Sequence, residues 1–515
     1  MSTPAEKLAE ALKALHKLQQ SGLIGIKTDQ ISKTHRRGLV QQGFLKEVTR
    51  GWYIATRPDE GADDSTSWYT SYWEFCKQFI DEKHGDEWII SPNQSLQLHA
   101  GNWTVPHQLM IKSPNASNFN TDLLYQTSIF FMRGELPENE LRTTERELQL
   151  YTLPAALVYC SQSFYTQDPT DARAALAMIR DSSEVLNVLL SKGHSTIAGR
   201  LAGAFRNIGR DRIAEDILKT MKSAGYDVRE SDPFQDHTAV ELSFRERSPY
   251  SNRIRLLWST MRAEIIKVFP AAPGLPEQHK EYLKMVEDIY VTDAYHSLSI
   301  ERYKVTPELI ERVRSGKWDV VGSEEDKKQK DAMAARGYWQ AFLKVKESIA
   351  RILEGANAGA VADKDHSDWY RELFAPSVAA GLLKPSDLAG YRNNQVFIGG
   401  SKHVPLSVEA MREVMPLLFE LLENEPEASV RAVLGHFIFV YIHPYMDGNG
   451  RTGRFLINVM LSSGGYPWTV IPVERRTEYM SALEKGSVES DIRPLAKFIA
   501  ELVSLTLKGK PVASI

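Results

Sequence analysis

With 515 residues, 43% of them apolar and 25% charged, the chain has the composition of a soluble globular protein of roughly two to four domains. No apolar stretch is long enough to span a bilayer and no secretory start opens the chain. Two cysteines, Cys76 and Cys160, exclude a disulfide framework and a cysteine-based zinc site, so a cytoplasmic protein without membrane association is expected. The net charge of −4 excludes little, but its distribution is uneven.

Residues 1–57 carry ten Lys/Arg against four acids, an excess of six positive charges on a chain that is negative overall. Leu8, Leu12, Leu15 and Leu18 recur at helical spacing, and Gly22 ends that helix. Thr28 and Asp29 predict a short second helix. Ser32 or Thr34 starts a third, with Lys33, His35, Arg36 and Arg37 on or near one side. Two β-prone runs, Phe44–Val48 and Trp52–Ala55, flank Arg50-Gly51. Helix, helix, helix and hairpin make the plan of a winged helix. The run Arg37–Leu45 with Arg50–Tyr53 resembles the N-terminal domain of AbiEi-type antitoxins and transcriptional regulators. On that resemblance Lys33, Arg36 and Arg37 are DNA-binding candidates, and protein docking is the alternative use.

Residues 58–66 are acidic and polar and read as a linker. Trp68–Phe79 predicts an aromatic-rich helix. Strands are expected at Trp88–Ile90, Gln108–Ile111 and Ser128–Met132. After Pro154 the pattern turns helical, including Ala172–Ser191 and Ile213–Ala224. Residues 67–235 thus form an α+β domain with no catalytic constellation. From residue 236 the pattern is helical to the end. Pro270, Pro273 and Pro276 mark a loop, and Glu281–Glu301 predicts one helix on which Ser297 and Glu301 share a face. Lys327–Lys330 is a charged patch without a role. Ala389–Gly400 combines a glycine turn, the short run Val396-Phe397-Ile398 and a Gly-Gly pair, which predicts a hairpin. Val433–Tyr441 is a strongly apolar helix in which His436 is expected to be packed.

That helix runs into His443-Pro444-Tyr445-Met446-Asp447-Gly448-Asn449-Gly450-Arg451-Thr452-Gly453-Arg454. Histidine moves protons near neutral pH. Asp447 suits one metal contact. The glycine-rich turn lets backbone approach an anion. Arg451 and Arg454 sit three apart on one helical face, supported by Phe455-Leu456-Ile457. Together these describe a nucleotide-phosphate site with a proton acceptor beside it. The stretch resembles the HPFxDGNGRxGR signature of the Fic family, with Tyr445 in place of Phe as its one departure.

The pattern along the chain and the two resemblances together imply a multidomain, mainly α protein. It would comprise a winged helix (1–57), an α+β middle domain (67–235) and an all-α Fic domain (236–515) with a β-hairpin flap. The Fic resemblance further implies transfer of AMP from ATP to a Ser, Thr or Tyr hydroxyl of a protein. His443 would be the base and Asp447 would hold Mg²⁺. Gly448, Asn449, Gly450, Arg451 and Arg454 would bind ATP, with an Asn449 side-chain donor and Tyr479 against the adenine. Val396, Phe397 and Ile398 would dock the target. Ser297 and Glu301 match the family's inhibitory motif [S/T]xxxE[G/N], and Arg302 replaces its last residue. Glu301 would then pair with Arg454, and removal of AMP is an open second activity. Gly450 stands where relatives that transfer phosphate carry Lys, which favours AMP. The alternative is a DNA-binding regulator whose Fic site senses nucleotide. DNA and a second copy of the chain stay open as partners.

Overall fold

The computed structural model describes residues 3–60, 64–236, 248–316, 330–510 and 512–515. The chain divides into two compact units, Met1–Arg253 with Phe397–Val404, and Ile254–Val396 with Pro405–Ile515.

In the first unit, Thr3 and Glu6 form a capping box that starts α1 (Pro4–Gln20). It is followed by β1 (Ile26–Lys27), α2 (Lys33–Gln41), β2 (Leu45–Thr49) and β3 (Trp52–Ala55). The strands form an antiparallel sheet of order β1-β3-β2. Ser32 caps α2 by accepting from the His35 amide. The short helix expected at Thr28 is instead a turn, because the Thr28 amide and hydroxyl both donate to the Gly51 carbonyl. Ala11, Leu15, Ile31 and Leu39 from the helical side meet Ile26 and Leu45 in a small core.

Val48 and Ile54 belong to a second core built on α3 (Thr66–His84), with Trp68, Tyr72, Phe75 and Phe79. Trp52 meets Phe75 and Phe79 edge-on at 5.9 and 5.3 Å. The first 55 residues thus share apolar packing with the segment that follows. Residues 61–63 of the expected linker lie outside the described residues, and Asp64 is already tied to the Thr66 amide at the start of α3.

Next come β4 (Ile89–Ile90), α4 (Pro92–His99), β5 (Gln108–Ser113), β6 (Phe119–Asp122) and β7 (Ser128–Arg133). They give a mixed sheet of order β4-β5-β7-β6 in which β5 and β7 run parallel. The three expected strands are present. β6 and the pair β8 (Arg142–Glu145) and β9 (Leu148–Tyr151) were not anticipated; threonines and charges hide the alternation in β6 and β8, and β9 is only four residues long. Then follow α5 (Leu153–Tyr159), α6 (Phe164–Gln167), α7 (Pro169–Met178), α8 (Ser182–Lys192), α9 (Ser195–Asn207) and α10 (Asp211–Ser223) around a third core. The single helix expected over Ala172–Ser191 is broken, since Asp181 and Glu184 form a capping box that starts α8. The expected boundary at 235/236 adjoins residues 237–247, which lie outside the described set.

Phe397–Val404 completes this unit. Phe397 and Val404 pack on the aromatic core, Lys402 O accepts from the Val105 amide at 2.9 Å, and the Gly400 amide donates to Thr66 Oγ1 at 3.2 Å. No strand is formed between Ala389 and Leu406, so the expected hairpin is an irregular strap. Part of its backbone bonding goes to partners outside the strap, not across a ladder.

α11 (Pro249–Val268) carries the chain into the second unit and ends before the proline loop. α12 (His279–Asp288) and α13 (Tyr290–Ile300) replace the single helix expected there, with the break at Ile289. α14 (Pro307–Arg314), α15 (Lys330–Leu353), α16 (Ala358–Ala379), α17 (Val408–Asn424), α18 (Ala428–Ile442), α19 (Asn449–Ser462), α20 (Arg476–Glu489) and α21 (Arg493–Leu507) follow. Of the charged run 327–330 only Lys330 is described. α18 is apolar on every side and buried almost throughout, as expected of a central helix. His436 is fully buried on it, as expected. No helix among the described residues is long and apolar enough to cross a membrane.

The aromatic core predicts a specific cost. Phe75→Ala removes a fully buried ring and is expected to destabilise the first unit by about 3–5 kcal/mol. The loss is read as an earlier thermal transition with a change in tryptophan fluorescence.

Candidate active site

The signature residues occupy the loop between α18 and α19 and the first turns of α19. Both ends of the loop turn left-handed. His443 caps α18 with φ 57° and ψ 61°, and Gly448 precedes α19 with φ 83°. A non-glycine residue in that region is strained, and such strain persists only where neighbours impose it. Asn449 supplies part of the constraint. Its Oδ1 accepts from the Tyr445 amide at 2.9 Å and its Nδ2 donates to the Tyr445 carbonyl at 2.8 Å. Both ends of the Asn449 amide bind the loop, which leaves the second Nδ2 hydrogen as the side-chain donor expected for phosphate. Tyr445 is buried and stacks on Tyr370, with ring centroids 3.8 Å apart.

His443 Nδ1 lies 3.2 Å from the Val440 carbonyl. Assigning the proton to Nδ1 makes Nε2 the lone-pair nitrogen. Burial pushes the imidazole down to about 4, with the Val440 carbonyl, Glu301 and Asp447 opposing and Arg392 assisting. The ring is thus neutral at pH 7, the form a general base requires. Asp447 is 67% exposed; its Oδ1 accepts from the Gly448 amide at 2.6 Å and lies 3.4 Å from Arg451 Nη2. The first amides of α19 lack partners within the helix, which leaves this turn able to receive an anion.

The two arginines are both buried, each held differently. Arg451 lies between the rings of Tyr303 and Phe374, at 5.1 and 4.8 Å from their centroids. Arg454 donates from Nε to Ser297 Oγ at 2.8 Å, and from Nη2 to the Ser297 carbonyl at 2.9 Å and to Glu301 Oε1 at 2.8 Å. Burial alone would push the Glu301 carboxyl up, but Arg454 and Arg451 outweigh it and hold it below the usual carboxylate range. Burial likewise opposes the charge on Arg454, and Glu301 holds its proton affinity up. A Cβ at Gly450 would fall 2.2 Å from Glu301 Oε1, so the carboxylate rests directly on the glycine turn.

Ser297 and Glu301 thus meet Arg454 of the signature, the pairing that the resemblance implied. Tyr479 does not present a ring face here: it is buried, and its hydroxyl pairs with His436 Nε2 at 2.7 Å. Val396 is buried in the second unit, while Phe397 and Ile398 belong to the first. In the first unit Lys33 and Arg37 are exposed on α2, and Arg36 is half-buried with Nη1 donating to the Thr28 carbonyl at 2.8 Å. Three site residues escaped the sequence reading: Tyr303, Phe374 and Arg392. Only Arg392 left a signal, as the lone charge in the run 391–400.

Residues 365–461 match the Fic/DOC family. The chain is similar to proteins named protein adenylyltransferase Fic from Drosophila willistoni and Drosophila virilis, at 29% and 30% identity over 241 residues. The alignments cover 46% of this chain and 45% and 46% of those proteins, so the chain spans about half the length of the curated relatives it matches. Among solved structures it is similar to Fic-1 (residues 134–508) from C. elegans, at 16% identity and a TM-score of 0.37, covering 66% of this chain and 91% of that one. A Fic family protein from Desulfovibrio desulfuricans G20 matches at 22% identity and a TM-score of 0.36, over 49% and 74% of the two chains.

The end of α13 yields a test. Glu301 is its C-cap and Arg302 follows at φ 65°, a conformation that glycine adopts without strain. Arg302→Gly is expected to stabilise the second unit by about 0.5–1 kcal/mol, seen as a higher melting temperature.

Proposed function

We propose that the chain is a protein adenylyltransferase that moves AMP from ATP to a Ser, Thr or Tyr hydroxyl of a protein. One observation carries this reading: a neutral His443 with Nε2 as its lone-pair nitrogen stands at the head of a glycine turn that opens a helix bearing two buried arginines. The family match and the names of the relatives support it. The target oxygen attacks the α-phosphorus of ATP. Its proton passes to His443 Nε2, the new O–P bond forms, and the bond to pyrophosphate breaks. The amides at the start of α19 stabilise charge on the phosphates. Arg451 and Arg454 neutralise and orient the leaving group.

The donor set at Asp447 suits a magnesium ion. The carboxylate is exposed, and no cluster of three or more His, Cys, Asp or Glu among the described residues is arranged to hold a metal alone. Mg²⁺ takes one or two protein carboxylates and completes its shell from phosphates and water, so Asp447 would hold it and it would neutralise phosphate charge.

Glu301 is the inhibitory residue of this reading. While it holds Arg454, that guanidinium is withdrawn from an incoming triphosphate, and the carboxylate repels the same anion. Removal of AMP, with water as nucleophile, is a second activity open to the same group. Val396, Phe397 and Ile398 remain the proposed docking strap, and Tyr479 acts from behind by supporting His436 beneath α19.

Wild-type protein, Glu301→Gly and Glu301→Gly/His443→Ala are incubated with α-labelled ATP and cell extract. The glycine variant is expected to incorporate more label than wild type, and loss of His443 to lower incorporation about 10²–10⁴-fold. Equal labelling of wild type and Glu301→Gly would remove the switch. Label arriving only from γ-labelled ATP would remove AMP transfer.

Exposed Lys33 and Arg37 favour a second reading of the first unit, as a DNA-binding element of a regulator whose nucleotide site senses ATP. Gel shifts of the full chain are expected to weaken for Lys33→Ala/Arg37→Ala across all DNA sequences, with a salt slope smaller by about two. Binding indifferent to the double change would argue for protein docking.

A further inference from the structure

We infer that Arg392 is a positioning residue for His443, clamping the backbone that aims the imidazole at the attacking hydroxyl; the inference rests on the transfer reading above. Arg392 is 1% exposed, and its guanidinium is spent on backbone carbonyls. Nε donates to His443 O at 2.8 Å, Nη1 to Asn394 O at 3.0 Å, and Nη2 to Leu406 O. Its own amide donates to Pro444 O at 2.9 Å. One residue therefore holds two successive carbonyls of the catalytic loop and both ends of the excursion that leaves the second unit after Val396 and returns at Pro405.

The chemistry of the clamp fits what His443 needs. A left-handed residue at the end of a helix turns its carbonyl away from the helical ladder, where it must find another donor. Arg392 supplies that donor together with a positive charge at the negative end of α18. A planar guanidinium reaches three carbonyls at fixed angles, which an ammonium cannot do. Burial costs the cation heavily, pushing it down to about 10 with only Glu409 opposing. A buried cation bound to carbonyls, with no carboxylate among its hydrogen-bond partners, is an expensive way to hold a loop. It is suited to imposing the strained φ of His443.

A proton acceptor displaced by about 1 Å can lose about 10²-fold in rate while substrate binding is unaffected. Arg392→Lys and Arg392→Gln are made in the full chain, alone and with Glu301→Gly. AMP incorporation is measured against ATP concentration, and ¹⁵N spectra of the histidine rings at neutral pH report which His443 nitrogen carries the proton. The expected result is a kcat about 100-fold lower for Arg392→Gln with KM for ATP within about twofold. Arg392→Lys should fall between, and His443 should shift from a single Nδ1–H tautomer toward a mixture. Wild-type kcat and tautomer in either folded variant would overturn the inference, as would a rise in KM with kcat unchanged. If Arg392→Gln does not fold, Arg392→Lys decides by the same two readouts. If no protein transfers AMP, the function proposed above falls, and the tautomer measurement still tests the clamp.

Discussion

A guanidinium buried in a helical core must find its hydrogen-bond partners inside the protein, and Arg454 finds none of its three on its own helix. Serine hydroxyl, serine carbonyl and glutamate carboxylate all come from α13, more than 150 residues earlier in the chain. Leaving such a cation unpaired costs several kcal/mol, so the second unit depends on where α13 stands. Any anion that takes over Arg454 must first compete with Glu301. In the proposed function, that competition is what would regulate the phosphate site.

The loop before α19 is shaped mainly by backbone. His443 and Gly448 set its two left-handed corners, Asn449 ties it to itself, and Arg392 ties it to its surroundings. Aromatic packing fills the space behind, with Tyr445 on Tyr370 and Phe374 under Arg451. In the proposed transfer few side chains of the motif therefore touch substrate. The others hold the imidazole and the helix N-terminus in fixed relation. This division explains why the motif is long although the proposed transfer needs only one base, one metal ligand and a phosphate cradle.

The linear motif and the Ser297/Glu301 spacing were legible because they are local: a fixed order of residue types, and two side chains one helical turn apart. The helical character of the second half was legible because α18 and α19 carry continuous apolar pattern. What failed was non-local or concerned breaks. The turn at Thr28 depends on Gly51, and the split of 172–191 on a capping box inside an apolar run. The strap at 397–404 is irregular because hydrogen bonds come from Thr66 and Val105, residues that no local pattern connects to it. Tyr303 and Phe374 were invisible as site residues because an isolated ring carries no spacing, and Arg392 showed only as the lone charge of the run 391–400.

The contact between Glu301 and Gly450 reaches into how the chain can vary. A single added carbon at position 450 would occupy the place of a carboxylate oxygen. Gly450 and Glu301 are therefore not independent letters of the sequence. A descendant that kept Glu301 would have to turn its carboxylate away from Arg454 to admit a side chain at 450. One that lost the glutamate would meet only the Arg454 guanidinium there. Divergence of the two positions in step would be the trace that this oxygen-to-backbone contact leaves in a lineage.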